Sequence, residues 1–258
     1  MSIKLKINQN IKLDIPQFNC DSNVLGEHLN EHPLLRLLNC YAFTCVIGKP
    51  AQGKTSLAIA LMTQKDPKIY RKTHNNFLIM MPQNSINSLK KNPFKCLPEE
   101  NFYNELNDST IQNVFEKLES NTAKNLSTLL FIDDMTADLK KSKFVETVIK
   151  KIVFNRRHLK CNIIITSQSF TNMPLDIRKC ITNIFIFKPS KKEMEILFDE
   201  LIEVKKKCYL DIMKYAFEAA HNFLFINITS QRMFKNFDEL IIKENDDSDN
   251  EDNNILNV

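Results

Sequence analysis

The scarcity of glycine is the feature that most constrains this chain. It has three glycines in 258 residues, whereas an average usage of about 7% would give roughly 18. Two of the three lie five residues apart, at Gly48 and Gly53. Because glycine has no Cβ and tolerates positive φ, its retention at these two positions predicts a tight loop whose backbone closely approaches another group.

The residues around the two glycines fit the pattern G-x-x-x-x-G-K-[ST], which is typical of a loop that binds nucleotide phosphates. An apolar run over residues 41–47 predicts a strand before the loop, and an apolar run over residues 56–62 predicts a helix after it. In that order, backbone amides and the positive end of the helix dipole can surround a phosphate. The predicted nucleotide-binding residues are Gly48, Lys49, Pro50, Ala51, Gln52, Gly53, Lys54, Thr55 and Ser56.

Two side chains at the end of this loop have predicted catalytic roles. Lys54 is expected to reach the β- and γ-phosphates, and the Thr55 hydroxyl is expected to bind Mg²⁺. The Asn-Lys-x-Asp string by which GTPases recognise guanine does not occur in the sequence. We therefore expect ATP and Mg²⁺ to be the cofactors.

A second apolar run, residues 129–132, leads directly into Asp133 and Asp134. A strand buried on both faces carries polar groups at its carboxyl end, where ligands bind in open α/β sheets. Asp133 is the predicted partner of Mg²⁺, through a water molecule. Asp134 is predicted to polarise the attacking water, although many ATPases use the longer glutamate at that position.

A third apolar run, residues 163–165, ends in Thr166, Ser167 and Gln168. A glutamine amide can accept a hydrogen bond from a water and donate one to a γ-phosphate. In ATPases with an extra strand between the two strands just described, the γ-phosphate sensor lies at this point. Gln168 is therefore predicted to be catalytic, and an ordinary polar strand end is the alternative.

A basic pair, Arg156 and Arg157, lies before that third strand. An arginine supplied to a neighbouring subunit can stabilise the charge of phosphoryl transfer, and both residues are candidates for this catalytic role. They could equally contact nucleic-acid phosphates or form surface ion pairs. The adjacent His158 is expected to be structural, because phosphoryl transfer needs no imidazole here.

Strand and helix patterns alternate along the chain, and this predicts a doubly wound, mostly parallel sheet with helices on both faces. Residues 144–159 are predicted to form a strong amphipathic helix, with Phe144, Val148, Ile152 and Val153 sharing one face. Further strands are predicted at 77–81, 181–187 and, as the last one, 223–228; helices are predicted at 111–119 and within 192–220, with a break near Lys207; residues 83–108 are expected to be irregular.

Charge and composition divide the chain into a basic body and an acidic end. Residues 244–252 contain six acids, and without them the chain has 35 basic and 25 acidic residues. This balance is suited to binding a polyanion, or is typical of a lysine-rich proteome.

Seven cysteines without a C-x-x-C pair predict buried thiols in a reducing compartment rather than a secreted protein. No apolar run reaches the ~18 residues of a membrane span. We predict three parts: an N-terminal β-hairpin (residues 3–7 and 11–15) and linker extension at 1–40, a P-loop ATPase domain at 41–242, and an acidic disordered tail at 243–258.

Taken together, the motifs resemble those of the genome-packaging ATPases of poxviruses, other large nucleo-cytoplasmic DNA viruses and virophages, within the FtsK/HerA branch of P-loop motors. The resemblance covers residues 41–187 and rests on the phosphate loop, Ile132-Asp133-Asp134, Asn155-Arg156-Arg157-His158, the strand ending at Gln168, and Met173-Pro174-Leu175-Asp176-Ile177-Arg178. It implies a RecA-like P-loop NTPase core, a homo-oligomeric ring, and ATP-driven translocation of double-stranded DNA into a capsid, with a capsid protein as a possible partner. It also implies that Arg156, Arg157 or Arg178 serves the neighbouring subunit, and that the protein acts at viral assembly sites in the host cytoplasm or in the virion.

Clusters of lysine supply candidate contacts with DNA phosphates, which would be independent of base sequence and sensitive to salt. The candidates are Lys90, Lys91, Lys95, Lys140, Lys141, Lys143 and the run Lys205-Lys206-Lys207. Three other functions remain open at this point: an ATP-dependent helicase or remodeller, a nucleotide-dependent assembly switch without translocation, and a small-molecule kinase. The absence of tryptophan counts mildly against a helicase, which would need aromatic residues that stack on single strands.

Overall fold

A single ten-stranded sheet organises the part of the chain that the computed structural model describes, which is residues 2–6, 38, 41–66, 68–90, 92–202 and 208–243. The strands are β1 (Ser2–Lys6), β2 (Phe43–Ile47), β3 (Asn76–Met80), β4 (Phe102–Tyr103), β5 (Thr128–Ile132), β6 (Cys161–Ser167), β7 (Asn183–Phe187), β8 (Phe223–Asn227), β9 (Arg232–Lys235) and β10 (Asp238–Lys243).

The α-helices of the same residues lie mainly between these strands. They are α1 (Lys54–Thr63), α2 (Gln83–Ser88), α3 (Asp108–Ala123), α4 (Lys143–Asn155), α5 (Leu175–Arg178), α6 (Lys191–Leu201) and α7 (Tyr209–Ala216). Short 3₁₀ turns occur at Glu99–Asn101, Asp138–Lys140 and Phe170–Asn172. None of the helices in this part of the chain combines the length and apolarity that crossing a membrane requires.

The strand order is β1-β10-β9-β8-β7-β2-β6-β5-β3-β4, and it divides the sheet into two halves. The pairings from β7 to β4 are all parallel, whereas those from β1 to β7 are all antiparallel. The α/β fold class is therefore confirmed, as is the extra strand: β6 lies between β2 and β5. The carboxyl ends of β2, β5 and β6 consequently meet at one edge of the sheet.

Side-chain alternation along the central strands fills a core on each face of the sheet. In β5, Leu130 and Ile132 enter the core that α3, α4, α6 and α7 cover, whereas Leu129 and Phe131 enter the core that α1 covers. This is the period-2 pattern of a strand buried on both faces. Phe131 is fully buried, and truncating such a side chain to alanine costs about 3–5 kcal/mol.

Helices α3 and α4 begin at residues whose side chains satisfy the free backbone amides of the first turn. Asn107 accepts a hydrogen bond from the Thr110 amide at 3.0 Å while the Thr110 hydroxyl accepts one from the Asn107 amide at 3.0 Å, which is a capping box. Ser142 accepts from the Val145 amide at 3.3 Å at the start of α4. Each such cap contributes about 1 kcal/mol.

Three expectations about secondary structure were wrong in detail. The strand at residues 223–228 is not the last, because β9 and β10 follow it across turns at Gln231 (φ 54°) and Asn236 (φ 56°). Residues 83–108 are not wholly irregular, since they contain α2 and the edge strand β4. In α4, which ends at Asn155 rather than residue 159, the buried face contains Val145, while Phe144 is 45% exposed.

The N-terminal strand has a partner that the sequence did not predict. β1 pairs antiparallel with β10, and Ser2 lies opposite Lys243. The second strand of the predicted hairpin at 11–15, Lys205–Lys207 and the acidic tail lie outside the described residues, as does the linker apart from Leu38. The division into an extension, an ATPase domain and a tail stays a prediction.

Candidate nucleotide site

The phosphate loop joins the carboxyl end of β2 to the amino end of α1. Gly53 is the N-cap of α1 and has φ 103° and ψ 12°, a backbone conformation that disfavours any residue with a Cβ. At Gly48 a Cβ would lie 2.8 Å from Gln52 Oε1 and 2.9 Å from Phe187 Cβ. Both glycines are therefore required by geometry, the first by close packing and the second by its φ angle.

Hydrogen bonds fix this loop against two neighbouring strands. The Gly48 amide donates to the Ser167 carbonyl at 3.0 Å, so the loop is tied to the end of β6. The Lys49 amide donates to Gln52 Oε1 at 2.6 Å, and Gln52 Nε2 donates to the Lys188 carbonyl at 3.3 Å. Gln52 thus joins the loop to the segment that follows β7.

Lys54 lies at the start of α1 and is only 6% exposed. Its Nζ donates to the Lys49 carbonyl at 3.1 Å, across the loop. Burial lowers the pKa of Lys54, while the carboxylates of Asp134 and Asp133 act in the opposite direction. A buried ammonium at the start of a helix is suited to binding a strongly negative ligand, because the two nearby acids offset only part of the cost of burying its charge.

Asp133 is the acidic group closest to the loop. The hydroxyls of Thr55 and Thr166 each donate to Asp133 Oδ1 at 2.8 Å. Burial raises the pKa of Asp133, and the two hydroxyl hydrogen bonds partly oppose that effect. A buried carboxylate beside the Thr55 hydroxyl provides the oxygen ligands that Mg²⁺ prefers, so this pair fits the ion.

Asp134 and Gln168 meet at the ends of adjacent strands. Gln168 Nε2 donates to Asp134 Oδ2 at 2.8 Å, and the Asp134 amide donates to Thr166 Oγ1 at 2.8 Å. Asp134 has φ 53°, a left-handed conformation that is uncommon outside glycine. The two side chains predicted to handle the water and the γ-phosphate therefore contact each other.

Thr166 was not assigned a role by the sequence reasoning. Its hydroxyl donates to Asp133 and accepts from the Asp134 backbone, so it sets the relative position of the two acids. Ser167 joins the end of β6 to the segment after β5 a second time, since its hydroxyl is 2.7 Å from the Thr136 hydroxyl. Polar side chains at the end of an apolar strand were the available signal, but only Gln168 was selected from them.

Arg156 and Arg157 lie away from this cluster. Arg156 and Arg157 precede β6 at its amino end, whereas Gln168 follows its carboxyl end, and seven residues of strand span about 20 Å. Arg156 Nε donates to the Tyr41 carbonyl at 3.0 Å, and burial lowers the pKa of Arg156. Arg157 is exposed. Arg178 forms an ion pair with Glu200 at 2.8 Å.

The candidate DNA-contacting lysines that the structure describes are exposed: Lys90, Lys95, Lys140, Lys141 and Lys143. Lys91 lies outside the described residues. Lys140 Nζ donates to the Thr171 carbonyl at 2.9 Å, and Lys141 pairs with Asp138 at 2.6 Å. Lys140 therefore contacts the turn that follows Gln168.

A cavity of about 470 Å³ lies next to the phosphate loop. Residues 51–57 and Ala60 line it together with Phe187, His221 and Phe223. Sequence reasoning missed the last three, because they follow the loop by more than 130 residues and match no motif. Only the strand order brings β7 and β8 to the loop.

Solved structures with the same fold include two viral proteins. The genome packaging NTPase B204 from Sulfolobus turreted icosahedral virus 2, in complex with ATP-gammaS, is 16% identical with a TM-score of 0.56, covering 75% of this chain and 96% of that one. B204, the DNA-packaging ATPase from Sulfolobus Turreted Icosahedral Virus, is 17% identical with a TM-score of 0.57, covering 76% of this chain and 97% of that one. At such identities the likeness establishes the fold.

No curated protein matches the sequence. The profile of the family described as Poxvirus A32 protein matches residues 37–258, which is most of the chain and includes every site residue discussed above. The resemblance found in the motifs is thereby confirmed. The chain is a P-loop ATPase that belongs to the poxvirus A32 protein family.

Proposed function

We propose that this ATPase couples ATP hydrolysis to the translocation of double-stranded DNA, and that it packages a viral genome into a capsid. The observation that carries the hydrolytic part is the connected cluster Thr55–Asp133–Thr166–Asp134–Gln168 at one sheet edge. Family membership and the structural likeness to B204, a DNA-packaging ATPase, support the DNA part. The substrate is ATP, and Thr55 and, through water, Asp133 are the residues that would hold Mg²⁺.

The proposed reaction is transfer of the γ-phosphoryl group to water. Backbone amides of the phosphate loop and the Lys54 ammonium bind the β- and γ-phosphates, and a Mg²⁺ ion bound beside Thr55 and Asp133 would neutralise charge that develops on them. Asp134 accepts a hydrogen bond from the attacking water and takes its proton as the new P–O bond forms. The bond between the γ-phosphorus and the β-bridging oxygen breaks, which leaves ADP and phosphate. Gln168 orients the water and donates to a γ-phosphate oxygen.

An arginine from a neighbouring subunit completes this site in the proposal. Arg157 is the better candidate of the basic pair, because it is exposed, whereas Arg156 donates to the backbone at Tyr41 and Val153. Arg157 lies at the edge of the sheet opposite the phosphate loop, so it can serve only the site of another copy. This requirement supports a homo-oligomeric ring, in which each subunit's hydrolysis depends on the next.

The DNA-binding surface in the proposal includes the segment after Asp134, where Lys140, Lys141 and Lys143 are exposed. Lys140 contacts the turn that follows Gln168, so movement at the γ-phosphate has a short path to this segment. Contacts from lysine to DNA phosphates carry no sequence information, which suits a motor that must move along any sequence. The packaging would take place at viral assembly sites in the host cytoplasm, where a capsid protein is the expected partner.

The first experiment measures ATPase turnover with and without linear duplex DNA, at low and high salt. A motor predicts severalfold stimulation by duplex of any sequence, and loss of that stimulation as salt rises. Displacement of a third strand from a triplex then tests movement along duplex directly. Lys54→Ala is the inactive control. Stimulation by single strands alone would indicate a helicase instead, and slow turnover indifferent to DNA would indicate an assembly switch.

The second experiment tests whether an arginine acts in trans. Arg157→Ala should lose turnover but retain nucleotide binding, because its own phosphate loop is intact. Mixing it with Lys54→Ala subunits should restore part of the activity, since an intact loop then meets an intact arginine. Arg157→Ala mixed with itself at the same total concentration is the control. Absence of rescue, with mixed oligomers demonstrated by mass, would refute the trans role.

A further inference from the structure

The cavity beside the phosphate loop extends into an apolar region. Helix α1 contributes Leu57 and Ala60, the end of β7 contributes Phe187, and the start of β8 contributes Phe223 with His221 just before it. We call these five residues the aromatic pocket. A pocket lined by apolar and aromatic side chains is suited to a flat, weakly hydrated ring.

The aromatic pocket is in direct contact with the loop. A Cβ placed on Gly53 would lie 3.7 Å from the Phe187 ring and 3.7 Å from His221 Nδ1. His221 Nδ1 is also 3.2 Å from the Gln52 carbonyl oxygen. Because a nucleotide joins its base to its phosphates through one ribose, a base must lie close to whatever holds the phosphates. The aromatic pocket lies next to the loop and meets this condition.

The aromatic side chains of the pocket are held in fixed positions. Phe187 and Phe223 are 3% and 8% exposed, and their ring centroids are 5.6 Å apart at an interplanar angle of 61°. His221 differs, because it is exposed and has φ 63°. A left-handed conformation is uncommon outside glycine, although histidine adopts it more readily than most residues, and it occurs at turns as well as at binding sites. The chain therefore places one accessible aromatic ring beside two rigid ones.

We propose that the aromatic pocket binds the base of the nucleotide by stacking, with His221 as the accessible ring, and that it accepts purines without reading their hydrogen-bonding edges. This rests on the proposed phosphate site. The polar residues that line the cavity are Gln52, Lys54, Thr55, Ser56 and His221, and the first four belong to the loop. The Gln52 amide already bonds to the Lys49 amide and the Lys188 carbonyl.

Stacking and edge recognition predict different selectivity. A site that hydrogen-bonds a substrate group rejects analogues lacking it by large factors, whereas stacking on an aromatic ring tolerates every base. ATP and GTP should therefore bind with affinities within about threefold of each other. CTP should bind more weakly than either, because a pyrimidine offers a smaller stacking face.

The experiment measures dissociation constants for Mg²⁺ complexes of ATP, GTP, CTP and inorganic tripolyphosphate. Tripolyphosphate has no base, so it reports on the phosphate loop alone. His221→Ala should weaken ATP binding by about tenfold, within the range measured for one base stacked on an aromatic ring, and should leave tripolyphosphate binding unchanged. His221→Phe should retain ATP binding, since it keeps a flat ring. His158→Ala, another exposed histidine, is the matched control.

Each contrary outcome has a distinct meaning. An equal loss of ATP and tripolyphosphate binding in His221→Ala would show that His221 only supports the loop through Gln52, and the proposal would be wrong. Unchanged ATP binding in that variant would also overturn it, as would a preference of more than a hundredfold for ATP over GTP. If the wild-type protein bound neither ATP nor tripolyphosphate, the phosphate site itself would fail, which is a different result from failure of the base pocket.

Discussion

His74 is a buried histidine whose ionisation should make the fold sensitive to acid. It is 1% exposed, with Nδ1 2.9 Å from Thr73 Oγ1 and Nε2 3.0 Å from Asn162 Oδ1. Burial lowers its pKa from 6.5 to about 4, against a smaller opposing effect of the Asn162 hydrogen bond. As pH falls, His74 therefore takes up a proton near pH 6.5 in the unfolded chain but only near pH 4 in the folded protein. Stability from this group is fully present above pH 6.5 and is lost as pH falls towards 4.

The expected loss follows from the size of the shift. At 1.36 kcal/mol per pKa unit, the whole shift corresponds to about 3 kcal/mol, of which about 2 kcal/mol is lost between pH 7.5 and pH 5. Urea unfolding of wild type, His74→Gln and His158→Gln at several pH values measures this. The His74→Gln curve should fall less between the two pH values by about 2 kcal/mol, and that of the exposed His158 variant should follow wild type. Parallel curves for wild type and His74→Gln would refute the reasoning.

Three further predictions concern the site and its frame. Gly48→Ala should weaken nucleotide binding at least tenfold and lower the melting temperature, because the new Cβ meets side chains already packed against the loop; unchanged binding in a titration would contradict this. Thr166→Val should lower turnover more than ATP affinity, since the hydroxyl links Asp133 to the backbone of the next residue; equal effects on both would count against a positioning role. Arg156→Ala should cost about 1–2 kcal/mol of stability through the loss of two partly buried hydrogen bonds to the backbone, while Arg157→Ala should melt like wild type, and a reversal of that order would show that the exposed and anchored arginines are wrongly assigned.

The sequence predicted those parts of the fold and site that depend on local pattern. The phosphate loop, the acids after β5 and the glutamine after β6 each follow an apolar run, and parallel pairing alone brings such strand ends together. Their proximity is what the structure adds, through the hydrogen bonds that Asp133 and Asp134 make. The chemical roles of these residues stay predictions until the variants are measured.

The features that the sequence did not predict depend on the pairing of strands far apart in the chain, or on which residues of a helix face the core. His221 and Phe223 reach the loop because β8 pairs with β7, and no local pattern signals that neighbour. Strands β9 and β10 contain several charged residues, so the alternation of apolar and polar residues that indicates a strand was not recognised there. The buried face of α4 includes Val145 and not Phe144. Neighbouring residues of a helix point about 100° apart, so an error of one residue assigns a side chain to the wrong face.

The pairing of β1 with β10 has a consequence for the order in which the protein can mature on the ribosome. β1 precedes the other described strands in the chain, yet its neighbour is β10, the last of them, since Ser2 lies opposite Lys243. Until β10 has been synthesised, β1 lacks this neighbour in the sheet, and an unpaired strand can pair with wrong partners. During co-translational folding, the parallel centre of the sheet can therefore form first, and β1 can join the antiparallel end only after β10 is in place.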